Sequence, residues 1–394
     1  MTLANAHALF CGLKSQPSYL ANLTIPDDER EALMAARNLI RETLKQAAAS
    51  IPIHDEYWQD SYARMVTARM RPAIRIKFRT QGSYAYGTLN APAYVPVQEI
   101  DLDDGMYVPV HFLQSGEPAL AAKGLFDFTE GALLPLCRRQ GWQLDPDTDN
   151  CVRVKLWPGA HIDIPIYSIP QDRFETLVEA MQKADTTALM ARDSIVQSWR
   201  LPSDQIMLAQ RSGNWLQSDP QQLHDWVKGR IDRYGAVYRR LCRFFKGWRD
   251  YTWEDSALSS LCIMCAVDEA LRRMNGYPGD SRDDELVMEV AKLLPAILND
   301  EIANPVLRHL CLNKWSDTQR REIVQAAGEL RDEMVAALER TGNADVVVQR
   351  LRTSFGERIP FRPEAVKIAS GIETIRQAPA ARVAAPAVIP STSG

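Results

Sequence analysis

The chain has 394 residues, 46% of them hydrophobic and 24% charged, an ordinary globular balance with room for two domains. No apolar run reaches the ~18 residues of a spanning helix, and the N-terminus MTLANAHALFCGLK lacks the basic stretch that opens a signal peptide; a cytoplasmic protein without membrane contact is expected. A net charge of −4 gives no support to a long basic face for nucleic acid, and a small anionic substrate held locally fits equally well.

In chain order, residues 22–50 read as a helix. Pro26, Asp27, Asp28 and Glu29 form its first turn, and Leu33, Ala36, Leu39, Ile40, Leu44 and Ala47 recur at helical spacing. Residues 74–78 alternate with period two as a strand, and Gly82-Ser83 follows. A loop rich in Pro and Ala over about 90–98 leads to a second strand at 99–110. Residues 117–140 read as a helix and 152–156 as a strand. Residues 161–167 read as another strand, with Pro165 placing its far end at an edge or terminus.

Beyond residue 170 strand signals fade. Ser218-Asp219-Pro220 is a helix start, and 221–250 reads as one basic helix with eight Lys or Arg against three Asp. Its Arg230, Arg233 and Arg239 read as a solvated face. Further helices are expected at 256–275, 284–300 and 317–340. The Ala- and Pro-rich stretch from about 377 reads as a disordered tail. The fold class is therefore α+β: a mixed lobe over 1–217, a helical lobe over 218–376 and a tail over 377–394.

The seven cysteines are scattered, which suits a reducing compartment. Cys262 and Cys265 form a C-x-x-C inside an apolar stretch with no second pair and no nearby His, and read as core thiols rather than a zinc or redox site.

The chemistry concentrates in two places. On a strand, residues two apart share a face, so Asp101 and Asp103 point together and Asp104 points away. Adjacent carboxylates repel unless a cation lies between them, and a hard divalent ion such as Mg²⁺ takes oxygen ligands of this kind. Asp163, between Ile162 and Ile164, is an acid in an apolar strand and asks for the same partner. Gly82-Ser83 after a strand offers backbone N–H groups and a hydroxyl to a phosphate. A metal facing a phosphate cradle is the equipment of nucleotidyl transfer. By parity alone Glu99 ranks with Asp101 and Asp103, and a Gly-Ser after a strand is also an ordinary turn.

Five stretches in fixed order sharpen this: TQGSYAYGTLN, QEIDLDDGMYVPV, HIDIPIYSIP, NWLQSDP with Trp226 after it, and LCRFFKGWRDYTW followed by Ser259-Ser260. Over about residues 20–370 the chain resembles the bacterial cGAS/DncV-like nucleotidyltransferases (CD-NTases) of CBASS antiphage systems, within the DNA polymerase β-like superfamily. The resemblance implies a polymerase β-like core, a mostly helical second lobe and an active site in the cleft between them. It implies two Mg²⁺ held by Asp101, Asp103 and Asp163, and a donor triphosphate held by Gln81, Gly82, Ser83 and Tyr86. It adds nucleotide contacts from Arg153, Ser218, Lys246 and Ser260, where Ser218 also reads as a helix cap.

The implied activity is synthesis of 3′,3′-cyclic GMP-AMP from ATP and GTP with no requirement for DNA, acting on a downstream effector that responds to the cyclic dinucleotide. The implied partner is an E1/E2-like enzyme that conjugates the C-terminal Gly394; a tail without function is the alternative. The chain departs from the family at Gly87, where the pattern has Asp, and over about 295–315, which aligns poorly. Other readings are another cyclic di- or trinucleotide, transfer onto RNA or protein, and an inactive nucleotide-binding regulator.

Overall fold

The computed structural model describes residues 2–12, 16–113, 116–171, 206–218, 220–274 and 281–369. A short strand β1 (Ala4–Asn5) and two single-turn helices, α1 (His7–Phe10) and α2 (Tyr19–Asn22), precede the long helix α3 (Asp27–Ala47). Pro26 sits outside α3 as its N-cap, three acids fill the first turn at the positive end of the helix dipole, and Leu33, Ala36, Ile40 and Leu44 form its buried stripe. The helix expected at 22–50 is thus shorter at both ends, because residues 48–53 tighten into a 3₁₀ turn containing Pro52.

After α4 (Asp60–Met65), the sheet begins with β2 (Lys77–Thr80). Ile74 and Ile76 are buried but precede the ladder, so this strand starts later than the alternation suggests. The single turn α5 (Gly82–Tyr86) then leads to β3 (Ile100–Val110), the spine of the sheet. Helix α6 (Ala122–Gln140) and the strands β4 (Gln143–Asp145), β5 (Val152–Trp157), β6 (Ala160–Ile164) and β7 (Ile166–Pro170) follow. Pro165 divides what alternation reads as one strand into β6 and β7, yet both run parallel to β3 in a single register: Asp103 faces Asp163 and Met106 faces Ile166. β2 pairs antiparallel with β3, and β4, β5 and β6 form an antiparallel run. β8 (Met207–Ala209) and β9 (Trp215–Gln217), invisible to the sequence reading, extend the sheet from β7.

The rest is helical: α7 (Pro220–Tyr234), α8 (Ala236–Thr252), α9 (Ser260–Arg273), α10 (Asp283–Asn299), α11 (Asp317–Glu339) and α12 (Ala344–Phe355). The single basic helix expected at 221–250 is two helices, because Gly235 takes a left-handed φ of 73° between them. Helix α12 went unread, although Asn343 caps it by accepting from the N–H groups of Asp345 and Val346. Finally, β10 (Lys367–Ile368) pairs with β1. No helix among the described residues is long and apolar enough to cross a membrane.

Two large cores result. One joins α3 and α6 to the sheet through Ile40, Leu44, Phe126, Leu133, Leu102 and Ile162. The other fills the helical half around Tyr238, Phe244, Phe245, Val287, Ala327 and Met334. Leu9, Phe10, Tyr19 and Leu23 belong to the helical core, whereas the first core begins at Ile25. The N-terminal residues assigned to the mixed lobe by position therefore pack with the other one. All seven cysteines are free, and burial raises the thiol pKa of both Cys262 and Cys265, as core thiols require.

Candidate active site

Strand register builds the acidic wall. Residues facing each other across neighbouring strands share a face. Across β5, β6 and β3, one row holds Arg153, Asp163 and Asp103, and the next holds Lys155, His161 and Asp101. Three acids and an imidazole thus meet on one patch of sheet. Asp104 points away, where Arg41 and the Thr80 hydroxyl bind it.

The patch carries an excess of negative charge. Asp163 is 7% exposed and accepts two 2.8 Å hydrogen bonds from Arg153, through Nε and Nη2. Burial, reinforced by the charges of Asp101 and Asp163, pushes the Asp103 carboxyl up to about 8. Asp101 Oδ1 and His161 Nε2 are buried with no hydrogen bond, although they lie 3.2 Å apart. Ligand atoms of Asp101, His161 and Asp163 all fall within 4.8 Å of one another, the one such group among the described residues. Orphaned donor atoms and mutually repelling carboxylates are what a divalent cation resolves, so these residues fit a metal. The tightest group contains His161 and not Asp103. Asp103 stands beside it, with its Oδ2 against the backbone of Gly82.

The opposite side is the α5 turn. Gly82 has φ 65°, and a Cβ there would come within 1.8 Å of Asp103 Oδ2, so both conformation and space demand glycine. The Gln81 amide nitrogen donates to the Tyr167 hydroxyl (3.0 Å), and its Oε1 is buried without a partner. Burial pushes the Tyr86 hydroxyl up to about 12. Gly87 closes the turn as a left-handed cap at φ 69°, which accounts for glycine where the family pattern has Asp.

Between these walls lies a cavity of about 680 Å³, within the size range of small-molecule sites. Gln81, Gly82, Ser83, Tyr86, Glu99, Asp101 and Asp103 line it from the sheet half, and Ser218, Lys246, Arg249, Asp250 and Ser260 from the helical half. Asn304, Val306 and Leu307 close one end, inside the stretch that departs from the family pattern. Lys246 is 6% exposed, and its ammonium donates to the Thr88 carbonyl at 2.8 Å. Burial lowers its pKa to about 8. Arg249 donates to Ser260 Oγ (3.1 Å) and pairs with Asp250.

Nearly all the residues singled out from sequence thus converge. Arg153 and Asp163 are the exceptions: neither lines the cavity, and the Arg153 guanidinium and the Asp163 carboxylate engage each other behind Asp101 and Asp103 on the neighbouring strand. Arg230 is also not part of a solvated face, since it pairs with Asp268 and stacks over Trp226. Gly394 lies outside the described residues. The missed residue is His161. Its signal was present, because it shares a face with Asp163 two residues on, but parity was applied only to the acids. Glu99, equal to Asp101 by parity, instead binds His161 Nδ1 at 2.5 Å.

Comparison with known proteins places this geometry. Residues 76–167 match the family "Cyclic GMP-AMP synthase DncV-like, nucleotidyltransferase domain", and residues 235–367 match "Cyclic GMP-AMP synthase, C-terminal domain". A cyclic GMP-AMP synthase of Escherichia coli (strain TW11681) is 31% identical over 303 residues, 73% of this chain and 68% of that protein. One from Vibrio cholerae serotype O1 is 26% identical over 409 residues, covering 91% and 92%. The solved Vibrio cholerae di-nucleotide cyclase (DncV) in complex with GTP and 5MTHFGLU2 aligns at TM-score 0.76 and 25% identity, covering 94% of this chain and 100% of that one. A variant of that cyclase in complex with ATP, GTP and 5MTHFGLU2 aligns at 0.77, also at 25% identity and with the same coverage. The chain belongs to the cyclic GMP-AMP synthase DncV-like family and is a nucleotidyltransferase, a cyclic dinucleotide synthase with the expected α+β fold.

Proposed function

We propose that this enzyme makes 3′,3′-cyclic GMP-AMP from ATP and GTP by two successive Mg²⁺-dependent nucleotidyl transfers, as a cytoplasmic second messenger of a CBASS antiphage system. The observation that carries the reading is a cavity that combines paired carboxylates on one wall with a glycine-serine turn and a buried lysine on the others. Two bound Mg²⁺ would supply positive charge against the triphosphate and acidify the attacking 3′-hydroxyl.

The chain's own groups have these roles. Asp101, Asp103 and Asp163 hold the cations. Gln81, Gly82, Ser83 and Tyr86 seat the donor triphosphate, and Lys246 gives it a nearby positive charge. Ser218 and Ser260 offer hydroxyls from the helical half. Arg153 acts through Asp163, fixing the orientation of a carboxylate that takes the 3′-hydroxyl proton. The 3′-oxygen then bonds to the α-phosphorus, pyrophosphate leaves, and the linear product turns over for a second transfer of the same kind. A downstream effector reads the cyclic product, and Gly394 is the point at which an E1/E2-like enzyme would conjugate the chain.

The test is incubation with all four nucleoside triphosphates and Mg²⁺, phosphatase treatment, and mass analysis of what survives. A resistant product with the mass and retention of 3′,3′-cyclic GMP-AMP is expected. A different cyclic nucleotide overturns the product assignment, and label found only on RNA or protein overturns the cyclase reading.

A further inference from the structure

The loop over 87–99 joins the α5 turn to β3, so the chain itself ties the glycine-serine turn to the first acids. This loop is stitched to α8, on the other side of the cavity, along its length. The Thr88 carbonyl accepts from the Lys246 ammonium at 2.8 Å. Asn90 and Arg243 exchange two hydrogen bonds, Nδ2 to the Arg243 carbonyl (2.9 Å) and Arg243 Nε to Oδ1 (3.0 Å). The Tyr94 hydroxyl donates to the Tyr251 carbonyl at 2.9 Å. Gln98 Nε2 donates to the carbonyls of Asp250 and Trp253, each at 2.8 Å. The last carbonyls of a helix lack partners within it, and α8 ends at Thr252. Tyr94 and Gln98 thus cap α8 from across the cleft. Gln98 also folds the loop on itself, because its Oε1 accepts from the N–H groups of Ala93 (2.8 Å) and Tyr94 (3.3 Å). With N–H groups at one end of the amide and carbonyls at the other, only this orientation satisfies both.

We propose that Gln98 is a positioning residue for nucleotidyl transfer: it clamps the 87–99 loop onto the C-terminal end of α8 and so sets the gap between the acid wall and Lys246 before any nucleotide binds. The inference rests on the reading that Lys246 faces the triphosphate. Gln98 lies three residues ahead of Asp101, and the segment of α8 that it caps also carries Arg249 and Asp250, which line the cavity with it. A site whose walls are preset binds ligand without first being ordered by it. Where the clamp is lost, only a fraction of the molecules has the right gap, and apparent affinity falls by that fraction. Saturating nucleotide restores the gap, so the loss falls on KM rather than on kcat.

The test uses the full chain and two uncharged, nearly isosteric variants. Gln98→Met removes the clamp, and Tyr94→Phe removes a single cap bond at a residue that does not line the cavity. Gln98→Met should raise the KM for nucleotide about 10-fold, and Tyr94→Phe about 3-fold, while kcat at saturation stays near the parent's. A substitution that merely destabilised the fold would lower the active fraction, and with it kcat, at unchanged KM. That pattern in Gln98→Met overturns the inference. So does a KM that rises in Gln98→Met alone, because Gln98 would then be touching nucleotide directly. If Gln98→Met fails to fold, the KM of Tyr94→Phe decides, and a parent-like value overturns the inference. The ratios are read on whichever nucleotides the parent turns over, so a different cyclic product removes the proposed function and leaves the clamp standing. In a parent that makes no product, GTP affinity by calorimetry takes the place of KM.

Discussion

The sheet wall and the helical wall of the cavity handle charge in opposite ways. On the sheet, register stacks Asp101, Asp103 and Asp163 with only Arg153 and His161 to balance them, and the strain appears as a carboxyl pushed up to about 8. On the helical side the cations are bound individually, Lys246 to the Thr88 carbonyl and Arg249 to the Leu258 carbonyl, Ser260 and Asp250. The first wall is incomplete without a cation, whereas the second is complete as folded. Substitutions on the two walls should therefore behave differently with and without metal.

The largest contrast comes from Asp103→Asn. Product formation should fall by about 10³-fold, equivalent to roughly 4 kcal/mol of lost charge stabilisation. The metal-free protein should nevertheless become less pH-sensitive. Asp103 has a folded pKa raised from 3.8 to about 8, so between those values the native state binds more protons than the unfolded one. Stability then falls as pH rises through that window. Melting curves in EDTA should show this decline in the parent protein and a shallower one in Asp103→Asn. An Asp103→Asn enzyme with unchanged turnover would remove Asp103 from the metal site.

Gly82→Ala tests the junction of the two walls. The new Cβ meets the Asp103 carboxylate and the backbone keeps a left-handed φ, a local cost of about 1–3 kcal/mol. Activity should drop about 10- to 100-fold through misplacement of Asp103, with Mg²⁺ affinity falling alongside it. Unchanged Mg²⁺ affinity would show that the turn acts on nucleotide alone.

Lys246→Met sharpens the other side. The lysine pKa is lowered from 10.5 to about 8, so the unfolded state holds more protons between those values and stability rises with pH there. Lys246→Met should abolish that rise and raise the KM for nucleotide about 10-fold at pH 7. In the parent enzyme, KM should climb above pH 8 as the ammonium loses its proton. A pH-independent KM would remove Lys246 from the triphosphate site.

Legibility follows the same divide. Side-chain alternation and a few short motifs marked Asp101, Asp103, Asp163 and the Gly82-Ser83 turn, because sheet register converts a two-residue period directly into shared placement. The same alternation puts His161 on the face of Asp163, but its place opposite Asp101 depends on the pairing of β6 with β3, which no local pattern carries. The split at Gly235 and the short strands β8 and β9 were missed for a related reason: a single glycine or three residues leave too little periodicity to read. Likewise, membership of Leu9, Phe10 and Tyr19 in the helical core depends on contacts more than two hundred residues away, such as Tyr19 with Phe244.

The smallest expected effect lies where the chain departs from its family. Gly87 holds φ 69° at the end of α5, where any side chain costs about 1–2 kcal/mol, less for Asp than for most. A Cβ at this position would find only Arg239, with its Cδ at 3.5 Å and Nε at 3.6 Å. Gly87→Asp would therefore place a carboxylate within reach of that guanidinium, recovering up to about 1 kcal/mol through an exposed ion pair. Gly87→Ala has the conformational cost with no such return. The Asp variant should melt above the Ala variant and at or slightly below the parent, and the gap should close in high salt as the pair is screened. Turnover should stay near the parent level in both, since a Cβ at residue 87 approaches none of the cavity's acids. An Asp variant that melts below the Ala variant would mean that Arg239 does not turn toward α5.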